Sequence, residues 1–85
     1  MKEFVYKIND ELGIHARPAG QLVKKASGFK SNVSITGPKG TADAKRIMAV
    51  MTLAVKQNDE VTVKAEGEDE AAAIEALEAF FKETL

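Results

Sequence analysis

One short segment of the chain combines residue types suited to phosphate chemistry. It reads GIHARPAG from Gly13 to Gly20 and contains His15, the only histidine in the sequence. Pro18 is typical of the first turn of a helix, so the segment is predicted to lie where a loop enters a helix. That turn leaves backbone N–H groups unpaired and carries partial positive charge. We therefore expect an anion such as phosphate to bind the backbone at Ala16, Arg17 and Pro18.

His15 and Arg17 add side chains with complementary roles in such a site. The guanidinium of Arg17 is planar, permanently charged and matched to phosphate oxygens. Positive surroundings disfavour the imidazolium, so we expect His15 to be more often neutral near pH 7, with a lone pair for attack on phosphorus. On this segment alone a second interpretation stays open, in which His15 is a solvated loop histidine or a helix cap.

The other candidate ligands do not suggest a metal site. A lone histidine with scattered carboxylates is a poor site for a transition metal, and the chain has no cysteine. The acidic run of Glu66, Glu68, Asp69 and Glu70 lacks the EF-hand pattern of a calcium loop. We interpret these acids as complements to the dipole of the helix that follows them. No metal and no cofactor is expected.

Length and charge narrow the classes of function. The 85 residues suffice for one domain, predicted to span residues 1–85, and 45% of them are apolar. A net charge of −1 and few aromatic residues argue against nucleic-acid binding. The longest nearly apolar run, Ile47 to Val55, is too short to cross a membrane, and the first residues lack a signal-peptide core. We expect a cytoplasmic monomer that does not insert into membranes.

Hydrophobic periodicity predicts the element order βαββαβα. Alternation indicates strands around Phe4–Ile8, Val33–Ile35 and Val61–Ala65, and a short return strand at Thr41–Asp43 after a turn at Gly37–Gly40. Helical spacing gives the first and third helices their apolar faces: Ala19, Leu22, Val23, Ala26 and Phe29 in the first, and Ile74, Leu77, Phe80 or Phe81, and Leu85 in the third. This order indicates an α+β domain with a four-stranded antiparallel sheet and the helices on one side.

The second helix, predicted at Lys45–Ala54, has two apolar arcs. One contains Ala49, Val50, Leu53 and Ala54, and the other contains Ile47, Met48, Met51 and Thr52. Two interpretations of the second arc stay open: a neighbouring loop or helix end covers it, or it is an exposed docking patch. Methionines suit surfaces that adapt to several partners. The basic residues nearby would be ordinary solvated charges or would attract acidic partners: Lys24, Lys25, Lys45 and Arg46.

Four blocks of the sequence resemble the histidine-containing phosphocarrier (HPr) family of the bacterial phosphoenolpyruvate-dependent sugar phosphotransferase system. The first is the GIHARPA motif with the apolar face of the first helix. The second is IMAVMTL at 47–53, and the last two are DEVTV at 59–63 and AEGEDE at 65–70. The blocks occur in order over essentially the whole chain.

The resemblance implies an open-faced β-sandwich and a carrier function without enzymatic turnover. Such a carrier accepts a phosphoryl group from phosphorylated enzyme I, which takes it from phosphoenolpyruvate, and passes it to the A components of enzyme II sugar permeases. His15 falls at the histidine that the family phosphorylates on Nδ1, and Arg17 at its phosphate-stabilising arginine. The resemblance places partner binding on one surface that contains Ile47, Met48, Met51, Gln21, Lys24 and Thr52.

One position departs from the resemblance. Many Gram-positive members of the family carry a regulatory serine just before Ile47, and this chain has Arg46 there. Control by an ATP-dependent kinase at that site is therefore not expected. Two alternatives to the general carrier stay open: a non-carrier regulatory module of the same fold that binds other proteins, and a carrier dedicated to a specialised acceptor such as a dihydroxyacetone kinase.

Overall fold

The computed structural model describes every residue from Met1 to Leu85 and contains four strands and three helices in the predicted order. The elements are β1 (Lys2–Lys7), α1 (Ala16–Ser27), β2 (Asn32–Gly37), β3 (Gly40–Asp43), α2 (Ile47–Thr52), β4 (Glu60–Glu66) and α3 (Glu70–Thr84). No helix combines the length and apolar character needed to cross a membrane.

The four strands form one antiparallel sheet in the order β1-β4-β2-β3. β4 lies in the interior of the sheet. Its Val63 pairs with Phe4 of β1 on one side and with Ile35 of β2 on the other. Because side chains alternate along a strand, these residues face the helices and are buried. Polar residues such as Thr62 and Lys64 lie on the opposite, open face. The predicted fold class is confirmed.

The core lies between the sheet and the helices. In α3 both Phe80 and Phe81 are buried, whereas the helical spacing predicted only one of the two in the core. The ring of Phe81 makes edge-to-face contacts with Phe4, Tyr6 and Phe80, at centroid separations of 5.5–5.9 Å. These contacts join α3 to the edge strand β1.

Helix α2 is shorter than the predicted Lys45–Ala54. Arg46 is the N-cap with extended backbone (φ −122°, ψ 109°), and the amide of Lys45 donates to Oδ1 of Asp43 at 2.9 Å. At the other end Ala54 has φ +49°, which removes it from the helix, and it is exposed rather than packed in the core. Apolar content therefore overstated the length of the helix, because local turns at both ends compete with it.

Asp69 joins the loop before α3 to the loop between α1 and β2. Its carboxylate accepts hydrogen bonds from the backbone amides of Lys30 and Ser31, both at 2.9 Å, and from the hydroxyl of Ser31. These donors, the Ser31 hydroxyl most strongly and then the Lys30 amide, lower the pKa of Asp69 to about 2. Interpreting this acid only as a complement to the helix dipole was incomplete, because its side chain makes tertiary bonds and does not cap α3.

Candidate active site

His15 is the N-cap residue of α1, as the motif predicts. Its backbone is extended (φ −91°, ψ −174°), its side chain makes no capping hydrogen bond, and it is half-buried. The carbonyl of His15 accepts the first helical hydrogen bond, from Ala19 at 2.9 Å. The imidazole is therefore free for chemistry, and the helix-cap interpretation of its side chain is wrong.

Two backbone amides are available at this helix end. The amides of Ala16 and Arg17 have no hydrogen-bond partner, since the first intrahelical bond begins at Ala19. Pro18 has no N–H, so it contributes a fixed backbone angle and not a donor. The guanidinium of Arg17 is exposed and lines the same depression as His15. Unpaired amides and a guanidinium are the donors that suit an anion.

The side chains around His15 form an open depression that is polar apart from the ring of Pro18. Its lining comes from the loop before α1, from α1 itself and from the end of α3: Asp10, His15, Arg17, Pro18, Gln21, Glu83 and Thr84. The depression thus contains one permanent cation and two carboxylates. A phosphoryl group there would meet both signs of charge.

Asp10 is the site residue that sequence reasoning missed. Its Oδ1 lies 4.0 Å from Nε2 of His15, and the same oxygen accepts the amide of Leu12 at 2.8 Å. The sequence showed Asp10 only as one polar residue of a loop. An aspartate two residues before a backbone donor is a turn signal, but no periodicity indicated that this turn points a carboxylate at the histidine.

The loop that carries Asp10 and His15 is held against the body of the protein. Gly13 has φ +65°, and a Cβ there would lie 2.2 Å from the carbonyl oxygen of Val55. That same oxygen accepts the amide of Ile14 at 3.1 Å, while the main-chain oxygen of Leu85 accepts the amides of Asn9 and Asp10. Glycine is required at position 13 because the loop passes so close to a neighbouring backbone.

An exposed apolar surface lies beside the site, on α2. Ile47, Met48 and Met51 are exposed, Met48 at 74%, whereas Val50 and Leu53 on the other arc are buried. The end of α1 therefore does not cover the second arc. Helix α1 packs next to it, with the Cδ1 of Ile47 near Gly20, and the remaining residues expected in this surface are also exposed: Gln21, Lys24 and Thr52.

Comparison with known proteins identifies the family. The family model described as "PTS HPr component phosphorylation site" matches residues 2–83. The chain belongs to the HPr family. Phosphocarrier protein HPr of Lysinibacillus sphaericus is 48% identical over 91% of this chain and 88% of its own length, and that of Mycoplasma genitalium is 44% identical over 93% and 91%.

The fold agrees with that assignment. The solved structure of a mycoplasma histidine-containing phosphocarrier protein superposes with a TM-score of 0.95 at 40% identity, covering 98% of this chain and 94% of that one. The resemblance stated from four sequence blocks is thus confirmed, and a phosphocarrier role in the phosphotransferase system follows from HPr membership.

Proposed function

We propose that Nδ1 of His15 accepts a phosphoryl group from phosphorylated enzyme I, with phosphoenolpyruvate as the ultimate donor, and passes it to the A components of enzyme II sugar permeases in the cytoplasm. The observation that carries this proposal is the position of the only histidine. It stands at the start of α1, next to two unpaired amides and Arg17. The protein is then the phosphorylated intermediate of the transfer chain, and not an enzyme.

The proposed transfer needs little from the protein beyond positioning and charge. The lone pair of Nδ1 attacks phosphorus, the N–P bond forms, and the bond to the donor breaks with its electron pair leaving on the donor. The amides of Ala16 and Arg17 and the guanidinium of Arg17 stabilise the oxygens of the phosphoryl group. Because these donors are in place before transfer, they need no reorganisation during it.

Partner binding is assigned to the exposed arc of α2 with the neighbouring face of α1. Ile47, Met48 and Met51 supply apolar area, and Gln21, Lys24 and Thr52 surround it with polar groups, an arrangement typical of protein interfaces. This surface adjoins His15 along α1, so a partner bound to it reaches the phosphoryl group. We place both the donor and the acceptor on this one surface, in turn, with the protein acting as a monomer.

Arg46 stands at the N-cap of α2 and offers no hydroxyl to a kinase. We therefore propose that this carrier escapes ATP-dependent phosphorylation at that position. Its positive charge at the edge of the docking surface is also opposite in sign to a phosphoserine.

The first test is the intact mass of the protein after incubation with enzyme I and phosphoenolpyruvate. We expect one acid-labile phosphoryl adduct on the wild type and none on His15→Ala. Since His15 is the only histidine, one adduct with that lability identifies the residue. An absent adduct, with enzyme I active on a control carrier, would contradict the proposal and favour a regulatory binding module.

The docking surface is tested with two matched substitutions of exposed apolar residues. Met48→Ala, on α2, is expected to raise the KM of enzyme I for this carrier about tenfold, a typical loss for a central interface residue. Val5→Ala changes a residue exposed at 60% on the open face of the sheet and should leave the KM unchanged. Equal effects of the two substitutions would place the interface elsewhere.

A further inference from the structure

We propose that Asp10 is a positioning residue for the transfer, one that keeps the proton of His15 on Nε2 and so presents Nδ1 as the nucleophile. This inference rests on the proposed function for its consequence in catalysis. Its physical content, the choice of the protonated nitrogen, is a property of the unphosphorylated protein.

Asp10 is fixed in place by its own backbone and side chain. Its amide donates to the main-chain oxygen of Leu85 at 3.0 Å, and its carbonyl accepts the amide of Gly13 at 2.9 Å. Its Oδ1 accepts the amide of Leu12 at 2.8 Å. Three bonds to three different residues hold the carboxylate where it faces the imidazole, so little conformational freedom remains to be lost when it binds the ring.

The carboxylate faces one particular ring nitrogen. Nε2 of His15 lies 4.0 Å from Oδ1 of Asp10. In a neutral histidine one nitrogen carries the proton and the other the lone pair, and the partner of one nitrogen decides which is which. A carboxylate accepts a hydrogen bond and repels a lone pair, so Asp10 favours the proton on Nε2. The lone pair then lies on Nδ1.

The separation of 4.0 Å is longer than a hydrogen bond, but it can be closed in two ways. The imidazole is half-exposed and makes no hydrogen bond, so a small rotation brings Nε2 nearer to Oδ1. A single water molecule can also bridge the two atoms. Catalytic hydrogen bonds are often long before the reacting groups assemble and shorten when charge develops.

Phosphorylation supplies that charge. When Nδ1 of the neutral ring attacks phosphorus, the N–P bond forms and the electron pair of the broken bond stays with the donor. The proton remains on Nε2, and the ring becomes a cation. Asp10 then faces a positive N–H, and the hydrogen bond is charge-assisted.

Other charged groups also face the imidazole. Arg17 from α1 opposes a positive ring, and Glu83 from the end of α3 favours it; both line the same depression. Asp10 differs from Glu83 in having its carboxylate within 4.0 Å of a ring nitrogen.

The test compares Asp10→Asn with two carboxylate controls. Asp10→Asn removes the charge and retains an oxygen to accept the amide of Leu12. Glu11→Gln removes a charge from the same loop, and Glu83→Gln removes the other carboxylate of the depression. The ¹⁵N chemical shifts of His15, measured at a pH high enough for the ring to be neutral, give the ratio of its two tautomers. We expect Asp10→Asn to lower the ratio of Nε2–H to Nδ1–H about two- to fivefold, and both controls to leave it unchanged.

A second measurement uses the phosphorylated protein made chemically with phosphoramidate, a small phosphoryl donor. When a phosphohistidine keeps its Nε2 proton, its imidazole is a better leaving group from phosphorus. Hydrolysis of the N–P bond therefore slows when that proton is lost. In Asp10→Asn the pH of half-maximal hydrolysis should move lower by about half a unit. Neither readout requires enzyme I, so a failure of the proposed function would appear separately as no phosphorylation by enzyme I.

Two results would overturn the role of Asp10. One is an unchanged tautomer ratio in Asp10→Asn while the amide shift of Leu12 shows the loop intact. The other is an equal change in Glu11→Gln or Glu83→Gln, which would mean that net charge, and not the position of Asp10, sets the ratio.

Discussion

Asp10 and Asp69 are both loop aspartates whose carboxylates accept backbone amides, yet their surroundings differ. Asp69 accepts two amides and the buried hydroxyl of Ser31, all from the loop between α1 and β2. Asp10 accepts only the amide of Leu12, two residues along its own loop, and faces the imidazole of His15. Asp69 therefore connects distant parts of the chain, and Asp10 connects a turn to the imidazole of His15.

One residue type thus joins two loops at Asp69 and, in the role we propose, positions the proton of a histidine at Asp10. The oxygens of Asp69 are supplied with donors in the unphosphorylated protein, and its pKa, lowered to about 2 by the Ser31 hydroxyl and the Lys30 amide, reflects that. Asp10 keeps capacity to accept a further donor. A carboxylate that can still accept a hydrogen bond, beside an imidazole, can influence which ring nitrogen carries the proton. A carboxylate whose oxygens already accept several donors, as in Asp69, instead holds two loops together, and we call this set of bonds the clamp at Asp69.

Glycine substitutions in the two loops should have the largest effects. Gly13→Ala places a Cβ 2.2 Å from the carbonyl oxygen of Val55 at φ +65°, and Gly67→Ala places one 2.7 Å from the Ser31 hydroxyl at φ +152°. Each is expected to cost about 3 kcal/mol in the free energy of unfolding, from backbone strain and steric conflict together. Denaturant unfolding measures both values.

The matched control for these substitutions is Gly40→Ala. Gly40 also has a positive φ, +142°, but no atom lies within 4 Å of its Cβ position. Gly40→Ala therefore measures backbone strain without a steric conflict, and we expect it to lower the free energy of unfolding by about 1 kcal/mol. Of the variants that remain folded, Gly13→Ala should phosphorylate more slowly and Gly67→Ala normally. Equal transfer rates in the two variants would remove the functional distinction between the loops.

The clamp at Asp69 predicts a particular dependence of stability on pH. The folded pKa of Asp69 is about 2 and its ordinary value is 3.8, so its contribution is present above pH 3.8 and is lost as the pH falls to about 2. Asp69→Asn should lower the melting temperature at pH 7 and reduce the loss of stability between pH 4 and pH 2. Thermal unfolding across this range measures the effect.

Two comparisons make the measurement specific. Ser31→Ala removes the strongest donor to Asp69 and should lower the melting temperature at pH 7 by less than Asp69→Asn does, because the two amides remain. Glu68→Gln changes an exposed acid of the same run and should leave the pH profile as in the wild type. An unaltered acid profile in Asp69→Asn would mean that the clamp contributes nothing to folding.

The sequence predicted the parts of this molecule that follow from periodicity. Alternation along β4 and the helical spacing of α1 follow from burial on one face. The only histidine of the chain, three residues before Pro18, indicated the position of the site. The contacts of Asp10 and Asp69 were not predictable in this way. Each depends on where a loop without periodicity brings a side chain, 5 residues away in the chain for Asp10 and His15 and 38 for Asp69 and Ser31.

A third aspartate, Asp43, forms a turn directly before α2. Asp43 accepts the amide of Lys45 through Oδ1, as Asp10 does for Leu12, but it faces no reactive group. The helix that follows begins at Ile47, and the side chain of its N-cap residue, Arg46, makes no capping bond. The turn at Asp43 therefore leaves the first amides of α2 without a side-chain acceptor, and a capping residue at position 46 would supply one.

Arg46→Ser is accordingly expected to stabilise the protein by about 1 kcal/mol, since serine accepts an amide of the first turn from the N-cap and arginine does not. Denaturant unfolding at high salt, where the change of charge counts least, measures this gain. Arg46→Ala is the control, because it removes the same charge without adding an acceptor, and it should give no comparable gain. If Arg46→Ala stabilises as much as Arg46→Ser, then the relevant feature of this position is the charge of Arg46 beside the dipole of α2, and the missing cap is of no consequence.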